Sequence, residues 1–172
     1  KTATRLYHKN EDKDLHNLHR LIQLKQPITV LRAEHSCKSA RRKKRSDFEG
    51  LPDELFVAEG AEIILRSNVW TEMGLANGAR GVIREIVYSD DQMPGKDLPT
   101  LLVEFAGYTG PRFSDRCDPK VVPIPPRRVT KTYGTRRNLP IDLAWALTVH
   151  KSQGLTLGKV YTWRVTTKAA PG

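Results

Sequence analysis

Apolar positions change their period twice along this chain. Over "EDKDLHNLHRLIQL" (11–24), Leu15, Leu18, Leu21 and Ile22 recur at three- and four-residue spacing, which predicts an amphipathic helix. Its first turn is acidic, as the helix dipole favours, and Pro27 ends it. A short strand around Leu6 and Tyr7 is predicted before it, and another over "ITVLRA" (28–33) after it. From residue 55 the period falls to two. "LFVAEGAEIILRSN" (55–68), "GVIREIVY" (81–88) and "TLLVEFAGY" (100–108) alternate as strands do, and the Asn-Gly of "GLANGARG" suits a tight turn with positive φ. "KVVPIPP" (120–126) is extended, because its prolines forbid a helix and suit an edge strand.

Helical character returns at "LPIDLAWALTVHKSQG" (139–154), with Pro140 placed as a first-turn proline and Gly154 as a natural end. "KVYTWRV" (159–165) predicts a closing strand. The order predicts one α/β layer interrupted by a small all-β unit at roughly 57–126, whose short strands and frequent turns suit a small β-barrel. One stretch fits neither period: "CKSARRKKRSDFEG" (37–50) has little to bury and predicts an exposed, mobile loop. A nuclear-import signal, a phosphate-binding patch and a plain solvated loop are all open for it.

Composition sharpens this picture in one respect. The 172 residues carry 29 Lys and Arg against 19 Asp and Glu, a net charge of +10, so a polyanion, with nucleic acid first, is the expected partner. No apolar run approaches the length that crosses a bilayer, so no membrane partner is expected. Cys37 and Cys117 lie far apart with no C-x-x-C, and His35 beside Cys37 does not complete a zinc set, so reduced structural thiols and no metal ligands are expected. The chain opens on Lys1 without the basic-then-apolar order of a secretory signal, which reads as a fragment or a processed product.

Two glycine patterns are rejected as phosphate sites. "GLTLGKV" (154–160) lacks one residue of G-x-x-x-x-G-K-[ST], has Val160 in place of the hydroxyl, and follows a helix rather than a strand. "GLANGARG" (74–81) lacks dinucleotide-binding spacing, and "GYTGPRF" (107–113) is a turn. What remains is the polar end of the second helix. Thr148 and His150 can donate to phosphate oxygens, Lys151 adds charge and Gln153 can bridge two partners. A capped helix end whose polar groups satisfy one another explains the same residues. Nucleophilic catalysis does not, since no acid is placed to orient His150 toward Ser152.

"LPIDLAWALTVHKSQGLTL" (139–157) closely resembles motif V of the PIF-type (petite integration frequency) ATP-dependent DNA helicases, the RecD-like branch of superfamily one. "LPDELFVAEGAEIILRSNVWTEMGLANGARGVI" (51–83) is similar to the segment that family carries ahead of motif V, and "RLYHKNEDKDLHNLHRLIQL" (5–24) to the stretch opening its second RecA-like domain. "TLLVEFAGYTGP" and "VVPIPP" resemble fungal and transposon-borne members.

The resemblance implies an α/β fold: a partial second RecA-like helicase domain, residues 1–56 and 127–172, with an inserted small β-barrel of the Src-homology-three type at 57–126. It implies that Thr148, His150 and Lys151 contact single-stranded DNA, and that Ser152, Gln153 and Gly154 lie toward the ATP cleft and couple the two sites. Asn10 falls where the family has its first-strand asparagine, although His8-Lys9 departs from the usual threonine. Trp163 and Arg164 also stand where a more acidic strand end is usual.

ATP and Mg²⁺ would be bound mainly by a first RecA-like domain absent from this chain, which contains no phosphate loop and no acidic magnesium motif. An arginine-finger motif would be expected just beyond Gly172. The implied activity is 5′-to-3′ DNA unwinding in repair, recombination or telomere maintenance, in the nucleus or also the mitochondrion, with this chain inactive toward ATP alone. The rival readings are a non-catalytic nucleic-acid-binding module and a degenerate transposon-derived remnant.

Overall fold

The computed structural model describes residues 3–115, 118–153 and 160–162, with only the backbone for His150, Lys151 and Thr162. Strand β1 (Thr4–Tyr7) leads directly into helix α1 (Asn10–Gln23), as the periodicity predicts. Strands β2 (Thr29–Arg32) and β3 (Glu34–His35), helix α2 (Lys38–Arg41), a 3-10 turn (Arg45–Phe48) and β4 (Glu54–Val57) follow. Next come β5 (Glu62–Leu65), a second 3-10 turn (Thr71–Met73), β6 (Arg80–Val87), β7 (Thr100–Phe105) and β8 (Val121–Ile124). The last part holds β9 (Arg127–Lys131), β10 (Gly134–Asn138), β11 (Ile141–Leu143), β12 (Ala146–Thr148), helix α3 (Val149–Ser152) and β13 (Val160–Thr162).

Among the described residues these strands form four sheets. A parallel one has the order β12-β1-β13, and an antiparallel one of five strands has the order β11-β5-β6-β7-β8. In β7 the alternation predicted from sequence buries Leu101, Val103 and Phe105, which join Ile63, Leu65, Ile83 and Ile124 in the main core. Gly81 of β6 is required by close approach: a Cβ there would stand 2.9 Å from the Glu104 carbonyl oxygen of β7. The predicted turn at Asn77-Gly78 is present, with Gly78 at φ +96° and the Asn68 side chain accepting from the Asn77 amide at 2.8 Å. Proline-bearing β8 is the edge strand, where Pro123 needs no ladder donor. β11 lies at the other end, so residues 141–143 complete a sheet otherwise built from 62–124.

Three sequence expectations are corrected. First, 141–148 is not helical: it forms β11 and β12, and only Val149–Ser152 turns into a helix. Ala144, Trp145, Ala146 and Leu147 are all buried, and a short run that is apolar on every side serves a buried parallel strand as well as a buried helix. Second, the basic stretch 37–50 is not a loose loop. It folds as α2 and a 3-10 turn over a small core of Ala40, Phe48, Leu51 and Val129. Third, α1 buries only Leu21 of its predicted apolar stripe. Lys13, Asn17 and Leu21 face inward at four-residue spacing, whereas Leu15 stays 69% and Ile22 56% exposed. Among the described residues no helix is long and apolar enough to cross a membrane.

Candidate nucleic-acid interface

In parallel α/β sheets, ligands gather where strands end and helices begin. The register Tyr7↔Thr148 aligns the carboxyl ends of β1 and β12. α1 starts three residues after Tyr7 and α3 starts immediately after Thr148, so Asn10 and the 148–153 stretch come together at one end of the parallel sheet. No local pattern relates positions so far apart; parallel pairing does.

Asn10 is exposed at the start of α1. Thr148 is 5% exposed, with extended backbone (φ −83°, ψ 151°), and its side chain makes no capping bond to α3. A self-satisfied helix end is therefore not built through Thr148. Ser152 is half-buried, and its Oγ donates to the Val149 carbonyl at 2.7 Å. Gln153 is exposed and extended (φ −62°, ψ 131°). His150 and Lys151 lie on α3, but their side chains, like Gly154 as a whole, lie outside the described residues.

The residues that hold this end in place were not singled out by sequence. Asn17 of α1 is 4% exposed and grips both backbone groups of Ala146: its Nδ2 donates to the carbonyl at 3.0 Å, and its Oδ1 accepts from the amide at 2.8 Å. It thereby satisfies the edge of β12 that no strand pairs among the described residues. The available signal was an asparagine mid-helix, four residues from Lys13 and from Leu21. Arg80 of β6 ties the two main sheets together. Its guanidinium donates to the Thr4 hydroxyl in β1 and, at 2.6 Å, to the Ala144 carbonyl. Burial pulls its pKa below the ordinary arginine value, and Glu62, 3.5 Å away, acts in the opposite direction.

Asp142 of β11 forms ion pairs with Arg45 at 2.7 Å and Arg66 at 3.2 Å, so the basic stretch 37–50 is anchored to the strand that runs into β12. A cavity of about 610 Å³ opens between α1 and β4, bordered by Lys13, Asn17, Phe56, Asp142 and Leu147. No group of three or more His, Cys, Asp or Glu is arranged to hold a metal ion among the described residues.

The described residues thus form an α/β fold in which a parallel three-stranded sheet is joined to an antiparallel five-stranded one. The crystal structure of Pif1 helicase from Candida albicans superposes with a TM-score of 0.73 at 24% identity, covering 94% of this chain and 39% of that one. The structure of Bacteroides Pif1 bound to ssDNA gives a TM-score of 0.60 at 20% identity, covering 93% and 34%. In sequence, the human ATP-dependent DNA helicase PIF1 is 33% identical over 159 residues, which is 90% of this chain and 22% of the human protein. No family model matches. The chain belongs to the Pif1 helicases, as the motif resemblance implies, and spans about a fifth of the length of that human relative.

Proposed function

We propose that this chain supplies the single-stranded-DNA grip of an ATP-dependent 5′-to-3′ DNA helicase and couples that grip to ATP hydrolysis. The reading is carried by one observation: the Tyr7↔Thr148 register sets Asn10 and residues 148–153 at one end of the parallel sheet. In this reading Thr148 and His150 contact the DNA phosphates, and Lys151 adds positive charge beside them. Ser152, Gln153 and Gly154 serve the ATP cleft, so one short stretch links nucleotide state to DNA contact. The five-stranded sheet is the inserted Src-homology-three-type unit, although β11 completes it from outside 57–126.

ATP and Mg²⁺ belong to the other RecA-like domain. This chain's sequence has no phosphate loop or acidic magnesium motif, so it does not hydrolyse ATP alone. Nuclear DNA repair, recombination or telomere maintenance is the proposed setting. The Bacteroides relative, which binds ssDNA in its crystal structure, supports the choice of ligand.

The test is ATPase activity of the complete enzyme with and without single-stranded DNA. Thr148→Ala/His150→Ala should lower DNA-stimulated turnover at least tenfold while basal turnover changes little. Equal loss of both removes the coupling role.

A further inference from the structure

We infer that the basic stretch 38–44 is a second, preformed phosphate-binding platform for nucleic acid, separate from the 148–153 end. It stands on observations independent of that reading. Lys38, Arg41, Arg42, Lys43 and Lys44 are all exposed. Lys38 and Arg41 of α2 and Arg42 at its C-cap, still in αR backbone, are spaced i, i+3, i+4, so they share one helical face. Lys43 lies over the Tyr133 ring, 4.9 Å from its centroid.

The neighbouring carboxylates are already engaged. Glu49 holds Arg127 at 2.6 Å and Lys131 at 2.9 Å, Asp53 holds Arg136 at 2.8 Å, and Glu34 holds Arg137 at 3.0 Å. Glu54 holds Arg32 at 3.3 Å, and Asp142 holds Arg45 and Arg66 at 2.7 and 3.2 Å. None of the five platform cations forms an ion pair with a carboxylate among the described residues.

What turns a charge run into a platform is the layer beneath it. Arg136 of β10 is fully buried, and its guanidinium stacks 4.4 Å from the Phe48 ring centroid. It donates to the carbonyls of Lys43 at 2.8 Å and Leu51 at 3.1 Å, so the backbone at the end of the basic run is fixed from below. The Asp47 carboxylate accepts from the Lys44 amide at 3.0 Å, and the Tyr133 hydroxyl donates to the Asp47 carbonyl at 2.6 Å. Buried scaffolding of this kind lowers the ordering cost that a mobile loop would meet on binding. The ligand class is the phosphodiester backbone, contacted without base readout, because lysine and arginine heads on an open surface bind charge rather than sequence.

The deciding experiment is fluorescence anisotropy of a labelled oligo-dT strand across a salt series, with the full chain. Lys38→Gln/Arg41→Gln/Arg42→Gln/Lys44→Gln should weaken binding at least tenfold. It should also flatten the log–log salt slope by roughly 3, given about 0.7 for each of the four single-strand phosphates that are no longer neutralised. A control, Lys25→Gln/Arg84→Gln/Lys96→Gln/Lys120→Gln, removes the same charge from exposed sites elsewhere and should leave the slope near that of the parent chain.

Equal effects in the two quadruple variants, no effect of the first, or no binding by the parent chain would each overturn the platform. Adding Thr148→Ala/His150→Ala keeps the two sites distinct. If that variant alone loses affinity, the platform falls and the grip stands; if only the 38–44 variant does, the reverse holds.

Discussion

Two polar stretches of this chain, 37–50 and 148–153, are built in opposite ways. The first carries a dense run of charge, yet it is folded from below by a buried guanidinium and a phenyl ring. The second follows an apolar run and inherits its position from a parallel strand that Asn17 grips at its free edge. In one the fixing element is a charged side chain sent into the protein; in the other it is backbone pairing. Polarity read along a sequence reports what water can reach locally. It does not report whether a residue eighty or more positions away arrives to pin the segment.

Arg136 offers the strongest way to break this contrast. Arg136→Met should leave the Lys43 and Leu51 carbonyls without their donor and take from the Asp53 carboxylate one of its two partners, at a cost of about 3 kcal/mol in urea unfolding. Burial lowers the Arg136 pKa while Asp53 acts to raise it, as expected of a charge kept inside by its partners. A loss under about 1 kcal/mol would mean that 37–50 is not held from below, and the two stretches would then differ less than the structure indicates.

Asn17→Leu is the matching change at the other stretch. Removing both bonds to Ala146 should cost about 2 kcal/mol, because a buried amide and carbonyl lose their match on that edge. Hydrogen exchange at the Ala146 amide should accelerate with it, and unchanged protection there would rule out the clamp.

The smallest effect belongs to Glu49, whose carboxyl is held below the usual carboxylate range by hydrogen bonds from Lys131 and then Arg127. A folded-state pKa below the unfolded one adds stability above the unfolded value, and that stability is lost as the pH falls through the folded value. Glu49 is exposed, so the gain is small and screened by salt. Thermal unfolding of Glu49→Gln should fall slightly below the parent at neutral pH and converge with it in acid. A gap that persists in acid would assign the effect to packing instead of charge.

Much of the fold was legible residue by residue. The β7 alternation, the Asn77-Gly78 turn, the edge position of the Pro123 strand and the start of α1 all follow from rules acting within a few residues. The motif resemblance also pointed to the correct family. The misses share one cause. Leu143–Leu147 carries no period that separates a buried strand from a buried helix, and β1 supplied the deciding partner. The inward face of α1 ran through Lys13, Asn17 and Leu21 because Asn17 had to meet the Ala146 backbone, which a count of leucines cannot show. Arg80 and Asp142 were not singled out, because only the folded sheets bring Thr4, Ala144, Arg45 and Arg66 beside them.

By itself, then, the sequence determined many of the local elements, the basic surplus and the family, since each depends on short-range sterics, composition or ordered motifs. Only the tertiary structure decided which polar groups were buried, which strand took the motif-V run, and that 38–44 is presented on a fixed surface. Those outcomes depend on partners distant in the chain, and a buried polar group is tolerated only where such a partner arrives to satisfy it.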